Sequence, residues 1–124
     1  MTSNTIAIRC RPTIILFGDS ITQLGFGADC SSTTENYGWA SLLASAYTRR
    51  ADVLNRGFSG YNTRHALDIA PAVFKKKAHI QQEEDTLLFC MVWFGANDAA
   101  LPGNRQHVPM EEYRQNVAQI LQMV

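Results

Sequence analysis

The sequence predicts a single α/β domain built on a parallel sheet. Two apolar runs without polar alternation, residues 13–17 and 86–94, are typical of strands that are buried on both faces. Helical patterns alternate with the strands, and the order strand, helix, strand, helix, strand, helix favours parallel strands joined by right-handed crossovers. At 124 residues, the chain has room for one hydrophobic core and not for a second domain.

The first strand, residues 13–17, is followed by Gly18 and is expected at the centre of the sheet. Residues 28–35 are rich in Ser and Thr and lack a period, so they are expected to form a surface loop. A helix capped by Asn36 is expected from Tyr37 onward, because apolar residues then recur at helical spacing: Trp39, Leu42, Leu43, Ala46 and Tyr47.

The second strand, residues 53–56, ends at Gly57. The next helix is indicated by an apolar stripe at Ala66, Ile69, Ala70, Val73 and Phe74. Pro71 lies inside that stripe and lacks an N–H, so we expect it to kink or split the helix. After the third strand, Pro109 fits the first turn of a last helix, whose buried face is predicted to contain Met110, Tyr113, Val117, Ile120, Leu121 and Val124.

Composition excludes several classes of function. Eleven basic and eleven acidic residues cancel, which argues against nucleic acid or an anionic membrane as partner. The three cysteines form no C-x-x-C pair, so neither a disulfide framework nor a zinc site is indicated. No apolar run is long enough to span a membrane, and residues 1–11 lack the features of a signal peptide. We therefore expect a cytoplasmic setting, with residues 1–11 flexible.

Each predicted strand is followed at once by small, polar, turn-forming residues: "GDS", "GFSGYN" and "GAND". Such residues are common in ordinary turns, but the carboxyl ends of parallel strands meet at one edge, where ligands bind. There, Ser20 could attack a carbonyl carbon, and the N–H groups of Ser20 and Gly57 with the Asn97 amide could form an oxyanion hole. Asp19 and Asp98 are expected either to hold the turns around these residues or to form simple Asx turns.

The same stretches resemble a known family. "FGDSIT" with Ser20, "NRGFSGYNTR" with Gly57 and "FGAND" with Asn97 are similar, in this order, to the first three sequence blocks of the SGNH, or GDSL-type, serine hydrolases. Within that family, "VLNRGFSGYNTR", "FGAND" and "HVPMEEY" resemble the isoamyl acetate-hydrolysing esterase branch, and the likeness runs from Pro12 to Val124. Thr22 stands where a G-x-S-x-G elbow has its second glycine, which argues against an α/β-hydrolase.

The resemblance implies a flavodoxin-like three-layer α/β/α sandwich, of which three strands are present. It implies an esterase or lipase that acts on small acyl esters through an acyl-enzyme on Ser20, with the N–H groups of Ser20 and Gly57 and the Asn97 amide as oxyanion donors and without a cofactor. Residues 1–124 would be the N-terminal part of one such domain.

The sequence lacks the last block of the family pattern, which contains the general base. The general base and its orienting acid lie in a D-x-x-H block in this family, and the 124 residues contain no D-x-x-H. The histidines are at 65, 79 and 107, and none has a carboxylate at the required spacing. We therefore expect this chain to be inactive or weakly active as it stands, as a truncated form of a lipid-degrading or ester-hydrolysing enzyme.

Two other readings remain open from the residues. A complete, non-catalytic protein of the same fold could bind a ligand or a protein, and the apolar third strand, left as a sheet edge, could support oligomers. The other reading is a nucleotide-binding protein, because "GFGADC" at 25–30 resembles the front of a dinucleotide-binding fingerprint. That stretch lacks the third glycine and follows no strand.

Overall fold

The computed structural model describes residues 11–27, 37–75 and 86–124. Within these ranges the chain forms three strands and four helices: β1 (Thr13–Gly18), α1 (Ser20–Gln23), α2 (Trp39–Ala46), β2 (Asp52–Gly57), α3 (Thr63–Phe74), β3 (Leu87–Trp93) and α4 (Met110–Gln122). The strands pair in the order β2-β1-β3, and both pairings are parallel. The predicted parallel sheet with the first strand at its centre is confirmed. The surface loop predicted at 28–35 and the cap Asn36 lie outside the described residues.

The register of the sheet aligns the ends of the three strands. Gly18, the last residue of β1, pairs with Gly57 of β2 and with Trp93 of β3. The polar segments that follow the strands therefore leave the sheet at one edge, as the sequence predicts.

The two faces of β1 are covered by different helices, which confirms the three-layer arrangement. On one face, Ile14 and Leu16 are fully buried against Ala40 of α2 and Ala51. On the other face, Phe17 is fully buried in a cluster with residues of α3, α4 and the segment after β3: Ala66, Ala70, Phe94 and Ile120. The Phe17 ring meets the Phe94 ring edge to face, with centroids 4.8 Å apart. β1 thus buries alternate side chains on both faces, as its unbroken apolar run predicts.

β3 forms an edge of the sheet, and much of its apolar surface is exposed. Leu88 is 49% exposed and Trp93 is 47% exposed, and Leu87 and Phe89 are also exposed. The apolar edge strand that the sequence predicts at this position is confirmed.

Three local predictions are wrong or need adjustment. α3 runs unbroken from Thr63 to Phe74, so Pro71 does not split it; the residue is exposed near the helix end, where only one backbone hydrogen bond is lost. α2 begins at Trp39, with Gly38 as its N-cap. This start lies two residues beyond Tyr37, where the sequence predicts the helix to begin.

The buried face of α4 is narrower than the sequence predicts. Ile120 is fully buried, and Tyr113 and Val117 are partly buried, as expected. Met110 is 80% exposed, however, and Leu121 and Val124 are also exposed, because only the stripe facing α3 and the end of the sheet is covered. The remaining buried position of that stripe belongs to a polar residue, Asn116.

Candidate active site

Ser20 follows β1 directly and is the first residue of the short helix α1. The turn before it is held by Asp19, whose buried carboxylate accepts the N–H of Ile21 at 2.9 Å. Ser20 is partly buried, and its own N–H makes no hydrogen bond to the residues that the structure describes. Within 11–27, 37–75 and 86–124, no residue therefore forms a hydrogen bond with the side chain or accepts the N–H of Ser20 at the edge where the strands end.

The N–H of Gly57, predicted to be an oxyanion donor, already has a partner. It donates to Oδ1 of Asn55, 2.9 Å away, and the Asn55 amide in turn donates to the carbonyl oxygen of Thr22 at 2.7 Å. A Cβ on Gly57 would lie 2.0 Å from the backbone nitrogen of Gln23, so glycine is required there for the close approach of β2 to α1. In this structure Gly57 joins the ends of two elements and does not present a free donor.

Gly60, three residues further on, has the property that was expected of Gly57. Its N–H makes no hydrogen bond to residues within 11–27, 37–75 or 86–124. Its φ is +80°, a left-handed conformation that glycine adopts without strain. A Cβ there would meet only Nε2 of Gln106, at 3.5 Å, so the surroundings of this glycine are open.

Asn97 lies beside Gly60 and Tyr61. Its Nδ2 donates to the carbonyl oxygen of Tyr61 at 2.8 Å, while its Oδ1 accepts from Nε2 of Gln106 at 3.2 Å. An amide nitrogen carries two hydrogens, so one remains for a further acceptor. Nε2 of Gln106 also donates to the carbonyl oxygen of Gly60 at 2.7 Å, so Gln106 links Gly60 after β2 to Asn97 after β3.

A further hydrogen bond connects the segment after β1 to the same group. Oε1 of Gln23, at the end of α1, accepts the N–H of Ser59 at 2.6 Å. Together with the contacts of Asn97, this bond ties the segments that follow all three strands into one assembly. The sequence predicts that these segments gather at one edge, and the hydrogen bonds show how they are held there.

Asp98 reaches across to the start of α3. Its carboxylate, 3% exposed, accepts the Thr63 N–H at 3.0 and 3.2 Å and the Thr63 hydroxyl at 2.5 Å. The buried amide of Asn116 on α4 donates to the same hydroxyl at 3.0 Å. Asp98 therefore fastens the segment that holds Asn97 to two helices, rather than shaping only its own turn.

Comparisons with known proteins identify the family. The model of the GDSL-like lipase/acylhydrolase family matches residues 16–124, which include all the residues of the site. The chain belongs to this family.

Members of this GDSL-like family include close relatives of the chain. It is 47% identical over 115 residues to a GDSL esterase/lipase of Arabidopsis thaliana, and the match covers 90% of this chain and 42% of that protein. It is 42% identical over 113 residues to the human isoamyl acetate-hydrolyzing esterase 1 homolog, covering 90% of this chain and 41% of the relative. The chain thus spans less than half the length of these relatives. The predicted branch of the family is confirmed.

A solved structure of an SGNH-hydrolase family esterase, AlinE4, has a similar fold. The TM-score is 0.63 with 27% sequence identity, and the match covers 90% of this chain and 52% of AlinE4. The α/β architecture predicted from the strand and helix pattern is therefore that of an SGNH hydrolase.

The two described histidines of this GDSL-family chain have opposite tautomers. Nδ1 of His65 accepts the N–H of Asn62 at 3.1 Å, so in the neutral ring Nε2 carries the proton and no nitrogen is free to act as a base. Nδ1 of His107 lies 2.6 Å from the carbonyl oxygen of Ala100, which can only accept. The neutral His107 ring therefore carries its proton on Nδ1, and its Nε2 makes no hydrogen bond to a described residue. His79 lies outside the described residues.

Among the residues that the structure describes, neither the metal-ligating side chains nor the thiol form a second centre. In the described part of the chain, no group of three or more His, Cys, Asp or Glu could hold a metal ion. Burial raises the pKa of Cys90 to about 11, so this thiol is poorly suited to act as a nucleophile. Among the described residues, no helix is long and apolar enough to cross a membrane.

Sequence reasoning missed several residues of the site. Asn116 interrupts the apolar stripe of α4 at a buried position and could have been noticed for that reason, whereas Asn55 is only partly buried near the end of β2. The amide of Gln106 carries no such signal, because it lies in a polar loop and reaches Asn97 only through the fold.

Proposed function

We propose that this chain carries the nucleophile and the oxyanion donors of a serine ester hydrolase that acts on small acyl esters. The observation that carries the proposal is the set of available donors at the strand ends: the N–H of Ser20, the N–H of Gly60 and the second hydrogen of the Asn97 amide. Membership of a family of esterases and acylhydrolases supports the same chemistry.

In the proposed reaction, the Ser20 oxygen bonds to the acyl carbon while its proton passes to a base. The carbonyl oxygen becomes an oxyanion and accepts hydrogen bonds from the three donors. The tetrahedral intermediate then collapses, the C–O bond to the alcohol breaks, and the alcohol leaves with a proton. Water attacks the resulting acyl-enzyme in the same way and releases the acid.

Gly60 replaces Gly57 in this proposal for a physical reason. The Gly57 N–H would have to give up its bond to Asn55 before it could serve a substrate. The Gly60 N–H needs no such exchange, and Gly60 lies beside Asn97 through their shared partner Gln106.

The 124 residues contain no D-x-x-H, the block in which the general base is expected. In a subtilisin-type site, loss of the histidine alone costs about 10⁶-fold in rate, about as much as loss of the whole triad. We therefore propose that this chain by itself hydrolyses esters slowly, and that an added base restores turnover.

The test is chemical rescue with free imidazole, which is the ring of the histidine side chain and titrates near neutral pH. Hydrolysis of 4-nitrophenyl acetate is followed with and without imidazole for the chain, for Ser20→Ala and for Ser45→Ala. Ser45 is an exposed serine on α2 and serves as the matched control. Subtraction of the Ser20→Ala rate removes hydrolysis by imidazole alone.

We expect imidazole to raise the rate of the chain and of Ser45→Ala well above that of Ser20→Ala. Equal rates for all three proteins at every imidazole concentration would contradict the proposal and favour a non-catalytic protein that binds its ligand through the same fold.

A further inference from the structure

Two backbone carbonyl groups fix the orientation of the side-chain amides next to the proposed oxyanion hole. A carbonyl oxygen can only accept a hydrogen bond, so a side-chain amide that contacts it must present its nitrogen. The carbonyl of Gly60 accepts from Nε2 of Gln106 at 2.7 Å, and the carbonyl of Tyr61 accepts from Nδ2 of Asn97 at 2.8 Å.

The contact between the two amides agrees with both carbonyl groups. Nε2 of Gln106 also donates to Oδ1 of Asn97 at 3.2 Å. If the Asn97 amide turned over, its oxygen would face the Tyr61 carbonyl oxygen and its nitrogen would face the Gln106 nitrogen. Two hydrogen bonds would be lost, and two unfavourable contacts would replace them.

The backbone of Gln106 is itself held on both sides. Its N–H donates to Oδ1 of Asn104 at 3.0 Å, and its carbonyl accepts from Nδ2 of Asn62 at 3.0 Å. Asn62 is fully buried and caps α3 through a bond to the His65 N–H. These bonds fix the turn that carries Gln106. A residue that orients another side chain needs such a fixed backbone.

We infer that Gln106 is a positioning residue for the oxyanion hole: its amide holds Oδ1 of Asn97 so that the free Nδ2 hydrogen faces the substrate. This inference rests on the proposed role of Asn97. The orientation itself can be tested without any catalysis, so the two ideas can fail separately.

The orientation test uses Gln106→Glu, which has nearly the same shape. A protonated carboxyl group has one hydrogen and can donate it to the Gly60 carbonyl or to Oδ1 of Asn97, whereas a carboxylate would face both oxygens without a hydrogen. The protonated form is therefore favoured, and the pKa of the new carboxyl should lie above the ordinary value of about 4.3. Gln119→Glu, at an exposed position on α4, is the matched control and should titrate at an ordinary pH.

The measurement is a pH titration of both carboxyl groups by carbon-13 NMR, together with the Asn97 side-chain amide signals by nitrogen-15 NMR. We expect the Asn97 signals of Gln106→Glu to shift with the same midpoint as the new carboxyl, because the carboxylate should draw Nδ2 away from Tyr61. Gln119→Glu should leave these signals unchanged. Equal midpoints for the two carboxyl groups, with Asn97 signals that do not move, would overturn the inference.

A second variant covers the case in which the new charge prevents folding. Gln106→Met removes the donor without adding charge. It should speed the exchange of the Asn97 Nδ2 hydrogens with water, relative to Gln119→Met; an unchanged exchange rate would count against the inference as strongly as equal midpoints.

The imidazole-rescued assay then tests the link to catalysis. Loss of an oxyanion donor by Asn97→Ala should lower kcat by about 10²- to 10³-fold, and Gln106→Met should lower it by about tenfold with little change in KM. If Gln106→Glu alters Asn97 but no variant alters hydrolysis, the positioning stands and the proposed function fails. If hydrolysis depends on Ser20 and Asn97 but not on Gln106, the positioning role fails alone.

Discussion

Replacement of Asp98 by alanine should cost more stability than replacement of any exposed acidic residue. The buried carboxylate accepts two groups of Thr63, its N–H and its hydroxyl. A hydrogen bond to a charged group contributes about 1.5–3 kcal/mol, so the loss of two gives about 3–6 kcal/mol. The carboxylate is 3% exposed, so bulk water has little access to the Thr63 groups that would lose their acceptor.

The assay is urea unfolding at neutral pH, followed by circular dichroism. With a slope of about 1–3 kcal/mol per molar urea, a loss of 3 kcal/mol lowers the midpoint by about 1 M or more. Asp68→Ala, at an exposed position on α3, is the control and should change the free energy of unfolding by less than about 0.5 kcal/mol. Thr63→Val keeps the N–H but loses the hydroxyl and its bonds to Asp98 and Asn116, so it should cost at least about 1–3 kcal/mol.

Equal midpoints for Asp98→Ala and Asp68→Ala would refute the reasoning, since the network would then contribute nothing to stability. If Asp98→Ala fails to fold, Thr63→Val decides: a midpoint equal to that of the wild type would refute it in the same way.

Three further outcomes are expected. Gly57→Ala should destabilise the chain more than Gly60→Ala in the same urea assay, because its Cβ would lie 2.0 Å from the Gln23 nitrogen; the reverse order would contradict the close packing at Gly57. The hydrogen bond from Arg64 lowers the pKa of Glu112. This ion pair should therefore stabilise the contact between α3 and α4 at pH values above the unfolded-state pKa of Glu112. The stabilisation should be lost as the pH falls through the lowered folded-state pKa. Glu112→Gln should abolish that small acid dependence of thermal stability, and an unchanged pH profile would show that the pair contributes nothing. Because burial raises the pKa of Cys90 to about 11, iodoacetamide at pH 8 should label this thiol more slowly in the folded chain than in urea, as measured by peptide mass spectrometry; equal rates would contradict its burial.

Much of the fold could be predicted because it depends on local patterns. The apolar run of β1 reports burial on both faces, and the glycines and polar residues after each strand mark where the sheet ends. The prediction that Pro71 splits its helix is wrong, because the missing N–H near the end of α3 costs one hydrogen bond and the helix continues to Phe74. The predicted buried face of α4 is wider than the observed one, because periodicity alone does not say how much of a helix face other elements cover.

The sequence suffices to propose Ser20 and Asn97 as residues of the site, but it does not reveal the contacts between the segments that carry them. Ser20 and Asn97 carry their chemistry in their side chains, so the residue type and its place after a strand suffice to propose them. The backbone donors differ, because whether an N–H is free depends on partners that the sequence does not reveal. The sequence favours Gly57 as a donor, but in the fold Asn55 accepts its N–H, and nothing in the sequence distinguishes Gly60 from an ordinary turn glycine.

The central claim is that Ser20 accepts an acyl group, and the most direct test is to find that group on the serine. The chain and Ser20→Ala are incubated with 4-nitrophenyl acetate and imidazole, quenched in acid, digested and analysed by peptide mass spectrometry. We predict an acetyl group on the peptide that contains Ser20 in the wild type and its absence from that peptide in Ser20→Ala. An unmodified Ser20 peptide, or the same acetylation pattern in both proteins, would contradict the account.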